Sequence, residues 1–151
     1  MSLKKLRQFL DEHHVKYVSV AHSPAFTAQE VAQSAHISGK DLAKTVMIKL
    51  DGKMAMAVVP ACDHVHMDQL KRAVGAGAVS LASEGEFKGL FGDCEIGAMP
   101  PFGNLYGMEV FVSSRLAEDE DIAFNAGSHS ELIKLAYADY ARLVHPRVLQ
   151  L

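Results

Sequence analysis

"AKTVMIKLDGKMAMAVVP", Ala43 to Pro60, decides the fold. Two β-rich runs flank Asp51-Gly52, a dipeptide favoured in two-residue hairpin turns because both positions tolerate positive φ. The period of a strand puts Lys44 on one face with Val46, Ile48 and Leu50, and Ala43, Thr45, Met47 and Lys49 on the other. The first face is the more apolar, so it is expected to meet the core, with Lys44 pointing inward at the strand's end. Two readings of that lysine stand. It snorkels to water along its aliphatic stem, or it aims an ammonium into a cleft where desolvation strengthens its pull on an anionic oxygen.

Outward from the hairpin, strands and short helices alternate without a regular βαβ repeat. Leu3, Leu6 and Leu10, with Phe9 beside them, recur at helical spacing and open the chain with an amphipathic helix. "YVSVA" (17–21) is a short strand. Thr27 with Glu30, and Ser83 with Glu86, form capping-box patterns that each start a helix, the first closing at Gly39. "HMDQLKRAVG" reads as a helix ending at Gly75. "LYGMEVFVSS", "DIAFNAG" and "HSELIKL" read as strands, and "YADYARLVH" as a closing helix before Pro146. No internal repeat, linker or low-complexity tract interrupts residues 1–151. The expectation is one α+β domain, a central mixed β-sheet with short flanking helices.

The bulk numbers agree with a packed domain. The chain has 151 residues, 49% hydrophobic and 22% charged, enough for one sizeable core. A formal charge of −3 and a pI of about 6.2 leave no strongly basic footprint. That counts against DNA or other long nucleic acid as a partner, and leaves room for one short nucleic-acid end held by a few lysines. Two distant cysteines, Cys62 and Cys94, form no disulfide framework and no CxxC, as expected of a reducing cytoplasm. The amino-terminal run carries charges every few residues and lacks a signal-peptide core. No stretch approaches the roughly 20 apolar residues that span a bilayer. A cytoplasmic protein with no membrane partner is expected.

"CEIGAMPPFGN" (94–104) has no helical or strand period. Pro100 and Pro101 fix φ and donate no backbone hydrogen bond, while Gly97 and Gly103 supply dihedrals other residues cannot reach. Such a segment suits a rigid wall around a ligand. Its possible donors are the amides of Gly97, Ala98, Met99, Phe102 and Gly103.

Other groups carry weaker signals. His64-Val-His66 with Asp63 and Asp68 invites a metal, yet no further ligand stands at zinc spacing and HEXXH is absent, so a solvated helix start with Asp63 or His64 near the cap is expected. No metal or other cofactor is called for. There is no GxSxG elbow for a nucleophilic serine, and Cys94 sits between Asp93 and Glu95, which disfavours its thiolate. "FNAGSHSELIKL" (124–135) is either a polar turn or a place where Gly127, Ser128 and His129 let a ligand approach the backbone. Phe26 is either core or pocket wall.

Together, the hairpin lysine, the "GAMPPFG" loop and the late "FNAGSHSELIKL … ADY" segment, in this order, resemble the YbaK family, the prolyl-tRNA synthetase-associated editing domain. The resemblance spans about Val18 to Leu143, and its most specific part is the Gly-x-x-x-Pro loop, Gly97 to Pro101. It implies the fold of that family and a deacylase acting in trans in translation fidelity, one that hydrolyses the ester of a small mischarged amino acid (Ala, Ser, Thr or Cys) on the acceptor end of tRNA. A synthetase or an elongation factor would be the partner protein. The family lysine corresponds to Lys44, followed by Thr45, and the family loop to Gly97–Pro101. Where many relatives carry Gly-x-x-Gly-x-His, this chain has Leu132 in the histidine's place, so His129 carries over as a nearby pocket residue.

The chemistry is compatible with that resemblance. An aminoacyl ester is already activated, so its hydrolysis needs a positioned water and stabilisation of the oxyanion, not a strong nucleophile. Lys44 and Gly97 are the expected catalytic groups, with Lys44 binding the terminal nucleotide or the carbonyl oxygen. Phe26, Thr45, Ala98, Met99, Pro100, Pro101, Phe102, Gly127, Ser128 and His129 are the expected substrate-binding set, with Met99 and Phe26 setting pocket size. Lys40, Lys49, Lys53, Lys71 and Arg72 are candidates to grip the tRNA. Two other functions fit the same residues: an inactive module that only binds aminoacylated ends or a synthetase, and a small-ester hydrolase without tRNA.

Overall fold

A computed structural model describes residues 3–21, 40–87, 89, 98–128 and 130–151. The hairpin forms as read. Strand β2 (Leu42–Leu50) pairs antiparallel with β3 (Lys53–Pro60), Lys44 opposite Val59 and Leu50 opposite Lys53. Asp51 and Gly52 take φ of 50° and 84°, the twist a two-residue turn needs.

This hairpin is the centre of one mixed sheet of eight strands, ordered β1-β7-β6-β2-β3-β5-β8. β1 (Tyr17–Ala21), β6 (Asp121–Asn125) and β7 (Glu131–Ala136) form one antiparallel wing. β5 (Glu109–Ser113) and β8 (Arg147–Leu149) extend the other side in parallel. The free edge of β2 is divided. Its start pairs in parallel with the end of β6, and its end pairs antiparallel with β4 (Val79–Leu81).

Helices cover the sheet unequally. The larger buried layer joins α1 (Leu3–Glu12), through Leu6 and Leu10, to Ala43, Met47, Met56, Val58, Phe102, Phe124 and Tyr140 of α5 (Tyr137–Val144). The smaller layer packs Leu70 of α2 (Met67–Val74) against Ile48, Ala55, Ala57 and Phe111. α2 ends at Gly75 in the left-handed conformation, as its sequence requires. α3 (Glu84–Phe87) starts on its capping box, the Glu86 carboxylate accepting from the Ser83 N–H and from its hydroxyl, both at 3.0 Å. α4 (Ser114–Ala117) follows β5 directly.

Three expectations change. "LYGMEVFVSS" is not one strand: Gly103–Tyr106 is a 3-10 turn, Gly107 stops it with φ of 69°, and only then does β5 begin. The helix after the hairpin is capped by His66 and starts at Met67, so neither Asp63 nor His64 caps it. Both faces of β2 are covered, so the face of Lys44 is a core face but the smaller of two. The helix expected from Thr27 to Gly39 lies outside the described residues.

Candidate active site

Lys44 is the third residue of the central strand. β3 closes one side through Val59, and on the other the register of Leu42 with Ala123 and Ala43 with Phe124 carries on to set Lys44 level with Asn125 at the end of β6. The side chain is partly buried on the face of Val46 and Ile48. Burial pushes its ammonium below the usual lysine range, and the nearby Asp63 and Cys62 oppose that fall. Among the described residues no carboxylate comes within ion-pair distance of it. Thr45, also partly buried, points to the opposite face.

Asp63 has a role the sequence did not show. Just past β3 the chain turns back, the Asp63 N–H donating to Pro60 O at 2.9 Å. Its carboxylate then accepts two bonds from Arg115 Nη1, at 2.5 and 2.6 Å. Arg115 stands on α4, where its N–H donates to the Ser113 cap. Asp119 lies within reach of Arg115's charge. Burial, with Asp41 and Glu118 near, raises its carboxyl above the usual range while Arg115 opposes the rise. The Cys62 thiol is exposed and lies 3.7 Å from Asp63 Oδ1. Among the described residues, no cluster of three or more His, Cys, Asp or Glu side chains could hold a metal.

The proline loop is tied down at both described ends. Ala98 O accepts from Gly127 N–H at 2.9 Å, which joins the loop to the turn after β6. Pro101 O accepts from the buried hydroxyl of Tyr140 at 2.8 Å. Phe102 is fully buried between Phe124 and Tyr140, edge to face at 5.3 and 5.5 Å, so it anchors the loop from within the core. Its N–H is already donated to Pro100 O at 2.8 Å, which removes it from the free donors of the loop. Behind it, a Cβ on Gly103 would meet Val110 Cγ2 at 2.7 Å, so glycine alone fits there. The later turn holds Gly127 at φ of 97°, with Ser128 Oγ accepting from Ser130 N–H at 3.3 Å.

Lys44, Gly127, Ser128 and Ala98 therefore gather at one end of the sheet. Met99 and Phe102 belong to the larger layer with Ala43 and Met47, on the opposite side of β2 from the Lys44 side chain. Pro100 and Pro101 are buried beside them. Gly97, Phe26 and His129 lie outside the described residues. Of the five tRNA-gripping candidates, Lys49 is occupied by Glu86 at 2.6 Å. Lys71 and Arg72 line an open groove at the end of α2, and Lys53 a cavity of about 350 Å³ that shares Gly75 and Ala76 with it.

Sequence reasoning missed Asp63–Arg115, Tyr140–Pro101 and Asn125. The two pairs are 52 and 39 residues apart in the chain, with no local pattern to announce them. Asn125 buries Oδ1 without a partner among the described residues, an acceptor held ready for a donor.

Comparison with known proteins fits this architecture. The aminoacyl-tRNA editing domain family matches residues 22–143, well over half the chain. The chain is 27% identical over 151 residues to the multifunctional Ser/Thr-tRNA deacylase ProXp-y of Escherichia coli, covering 97% of this chain and 90% of that protein. It is 28% identical over 107 residues to the proline–tRNA ligase of Bacillus mycoides, 71% of this chain but 19% of the ligase. Among solved structures, hypothetical protein APE2540 superposes with a TM-score of 0.85 at 18% identity, covering 97% of each chain. A candidate trans-editing enzyme for prolyl-tRNA synthetase superposes at 0.82 and 20%, covering 98% of this chain and 94% of its own; both structures show the fold. The chain belongs to the aminoacyl-tRNA editing domain family. Its class of activity is hydrolysis of the ester of aminoacyl-tRNA.

Proposed function

We propose that the chain acts in trans on tRNA mischarged with a small amino acid, serine and threonine first among the Ala, Ser, Thr and Cys class, with residues 1–151 as one editing domain. Its likeness to the Ser/Thr-tRNA deacylase over nearly the full length of both proteins supports that choice. The observation that carries the site is Lys44: an ammonium partly withdrawn from water on the central strand, without an ion-paired carboxylate among the described residues, near the Gly127–Ala98 tie.

In this reading the 3′-terminal adenosine and its ester enter at the sheet end where β2 starts and β6 stops. A water adds to the ester carbonyl and gives up a proton, the carbonyl oxygen becomes an oxyanion, and collapse releases the amino acid while the ribose oxygen takes up a proton and leaves as its hydroxyl. Lys44 offsets the negative charge as it develops, where a desolvated cation acts most strongly. The N–H groups of Gly97, Ala98 and Met99 are assigned to the ester carbonyl, since the prolines have none and Phe102 donates its own to Pro100 O. Asn125 Oδ1 accepts from the substrate's α-ammonium. The tRNA and an associated synthetase are the partners, the acceptor stem passing over Lys71, Arg72 and Lys53.

The test is deacylation of tRNAs charged with Ala, Ser, Thr, Cys and Pro. Loss of Ser or Thr well above the buffer control is expected, and slower at high salt because phosphate contacts weaken with it. No hydrolysis of any of the five overturns the reading and leaves the binding module.

A further inference from the structure

The Asp63–Arg115 pair joins a half-exposed guanidinium to a largely covered carboxylate. Its carboxylate is 18% exposed and accepts two short bonds from one guanidinium nitrogen across 52 residues of chain. The turn that carries it is pinned to Pro60, the last residue of β3, one position beyond the partner of Lys44. α4, which supplies Arg115, follows β5 and packs on β3 and β5. Two elements distant in sequence thus fix one carboxylate near the start of β2, close enough for its charge to act on Lys44.

We propose that Asp63, held in place by Arg115, is a positioning residue for Lys44: it keeps the ammonium charged and directed at the site without binding it as a counter-ion. This rests on the reading of Lys44 as the catalytic ammonium. A carboxylate in direct contact would neutralise Lys44 toward substrate, and with no carboxylate nearby burial would lower its titration with less opposition. Asp63 lies between these limits: Arg115 holds its carboxylate in place through two short bonds, and Lys44 feels its field without an ion pair to it. The direction of Lys44's titration agrees, lowered by burial and held up by Asp63. Among the described residues, Cys62 beside Asp63 also acts on Lys44, while Asp41 before β2, Glu118 and Arg115 act on Asp119 after α4.

The experiment reads Lys44 directly. In protein labelled with ¹³C-lysine, the Lys44 Cε resonance, assigned by its loss in Lys44→Met, is titrated in a Cys62→Ser background that removes the thiol's own ionisation. Asp63→Asn is expected to move the Lys44 titration about one pH unit lower, with Asp63→Glu restoring most of it. The alkaline limb of kcat/KM on charged tRNA, after subtraction of spontaneous ester hydrolysis, should move with it, a loss of about tenfold on that limb. If Asp63→Asn destabilises the fold by leaving Arg115 unpaired, Asp63→Asn with Arg115→Gln removes both charges together and carries the same expectation. A Lys44 titration unchanged in both variants overturns the proposal. A titration that moves while the rate profile stays put supports the Asp63–Lys44 link, and it is then the catalytic reading of Lys44 that falls.

Discussion

Lys44 and Lys49 sit five residues apart on one strand and share nothing else. Lys49 points to the opposite face, a third exposed, and closes an ion pair with Glu86 at 2.6 Å. That glutamate is the capping residue of α3, so the pair ties a helix start to the sheet. Lys44 is partly buried, next to the end of β6, and the Asp63 carboxylate that acts on it is bonded to Arg115. A lysine with a solvated partner of its own serves the architecture. A lysine desolvated and without one among the described residues is held at a cost in stability, which makes sense where its charge is used.

Conservative replacement gives the largest expected contrast. Lys44→Arg keeps the charge but not the compact ammonium, and a fork of five donors does not occupy the same place. Deacylation by that variant should fall about 100-fold or more, while Lys49→Arg, which keeps its pair with Glu86, should stay within about twofold. Equal rates for both variants would erase the distinction.

The apolar side of the sheet should behave as support. Tyr140→Phe leaves Pro101 O buried without its donor and should cost about 1–3 kcal/mol in denaturant unfolding. The Lys44 titration should not move with it, because the two lie on different faces.

Stability against pH sharpens the comparison further. Lys44's pKa is lower folded than unfolded, so the unfolded chain binds its proton more tightly. Stability from this group therefore rises with pH between the folded value and 10.5, and below that window the charged ammonium is a burden. Lys44→Met should raise Tm at pH 7 by about 1–2 °C, and Lys49→Met should not.

Glu86 gives the smallest effect, with the opposite sign. Bonds from Lys49 and Ser83 hold its pKa at about 2 against 4.5 unfolded. Its contribution is complete above 4.5 and lost as pH falls through about 2. Glu86→Gln should lower Tm slightly at pH 7 and leave it unchanged at pH 2. A difference that persists at pH 2 would show that the bond to Ser83, not the charge, does the holding.

Much of this architecture was legible because it is local. Asp51-Gly52, Gly75 after α2 and the Ser83/Glu86 box each state a turn or helix end in a few residues, and all three form. β4 and β8 were not legible. Each is three residues long and exists only because β2 and β5 offer an edge. Lys44's face companions could be counted off by parity, but that both faces of β2 would be covered depended on which elements pack where. Gly107 broke an apparently continuous strand because its left-handed φ ends a 3-10 turn. At the site, the loop could be singled out by its prolines, whereas Asp63 looked like a helix cap until Arg115 came within reach of it from 52 residues away.

The most direct test sets the two lysines against each other on one substrate. Single-turnover deacylation of Ser-tRNA and Thr-tRNA would be timed for wild type, Lys44→Ala and Lys49→Ala, each first shown to be folded by circular dichroism. The expected result is a Lys44→Ala rate lower by about 10²–10³-fold and a Lys49→Ala rate close to wild type. Folded Lys44→Ala protein that deacylates as fast as wild type would contradict the account, because the catalytic cation would then have to be sought elsewhere on the fold.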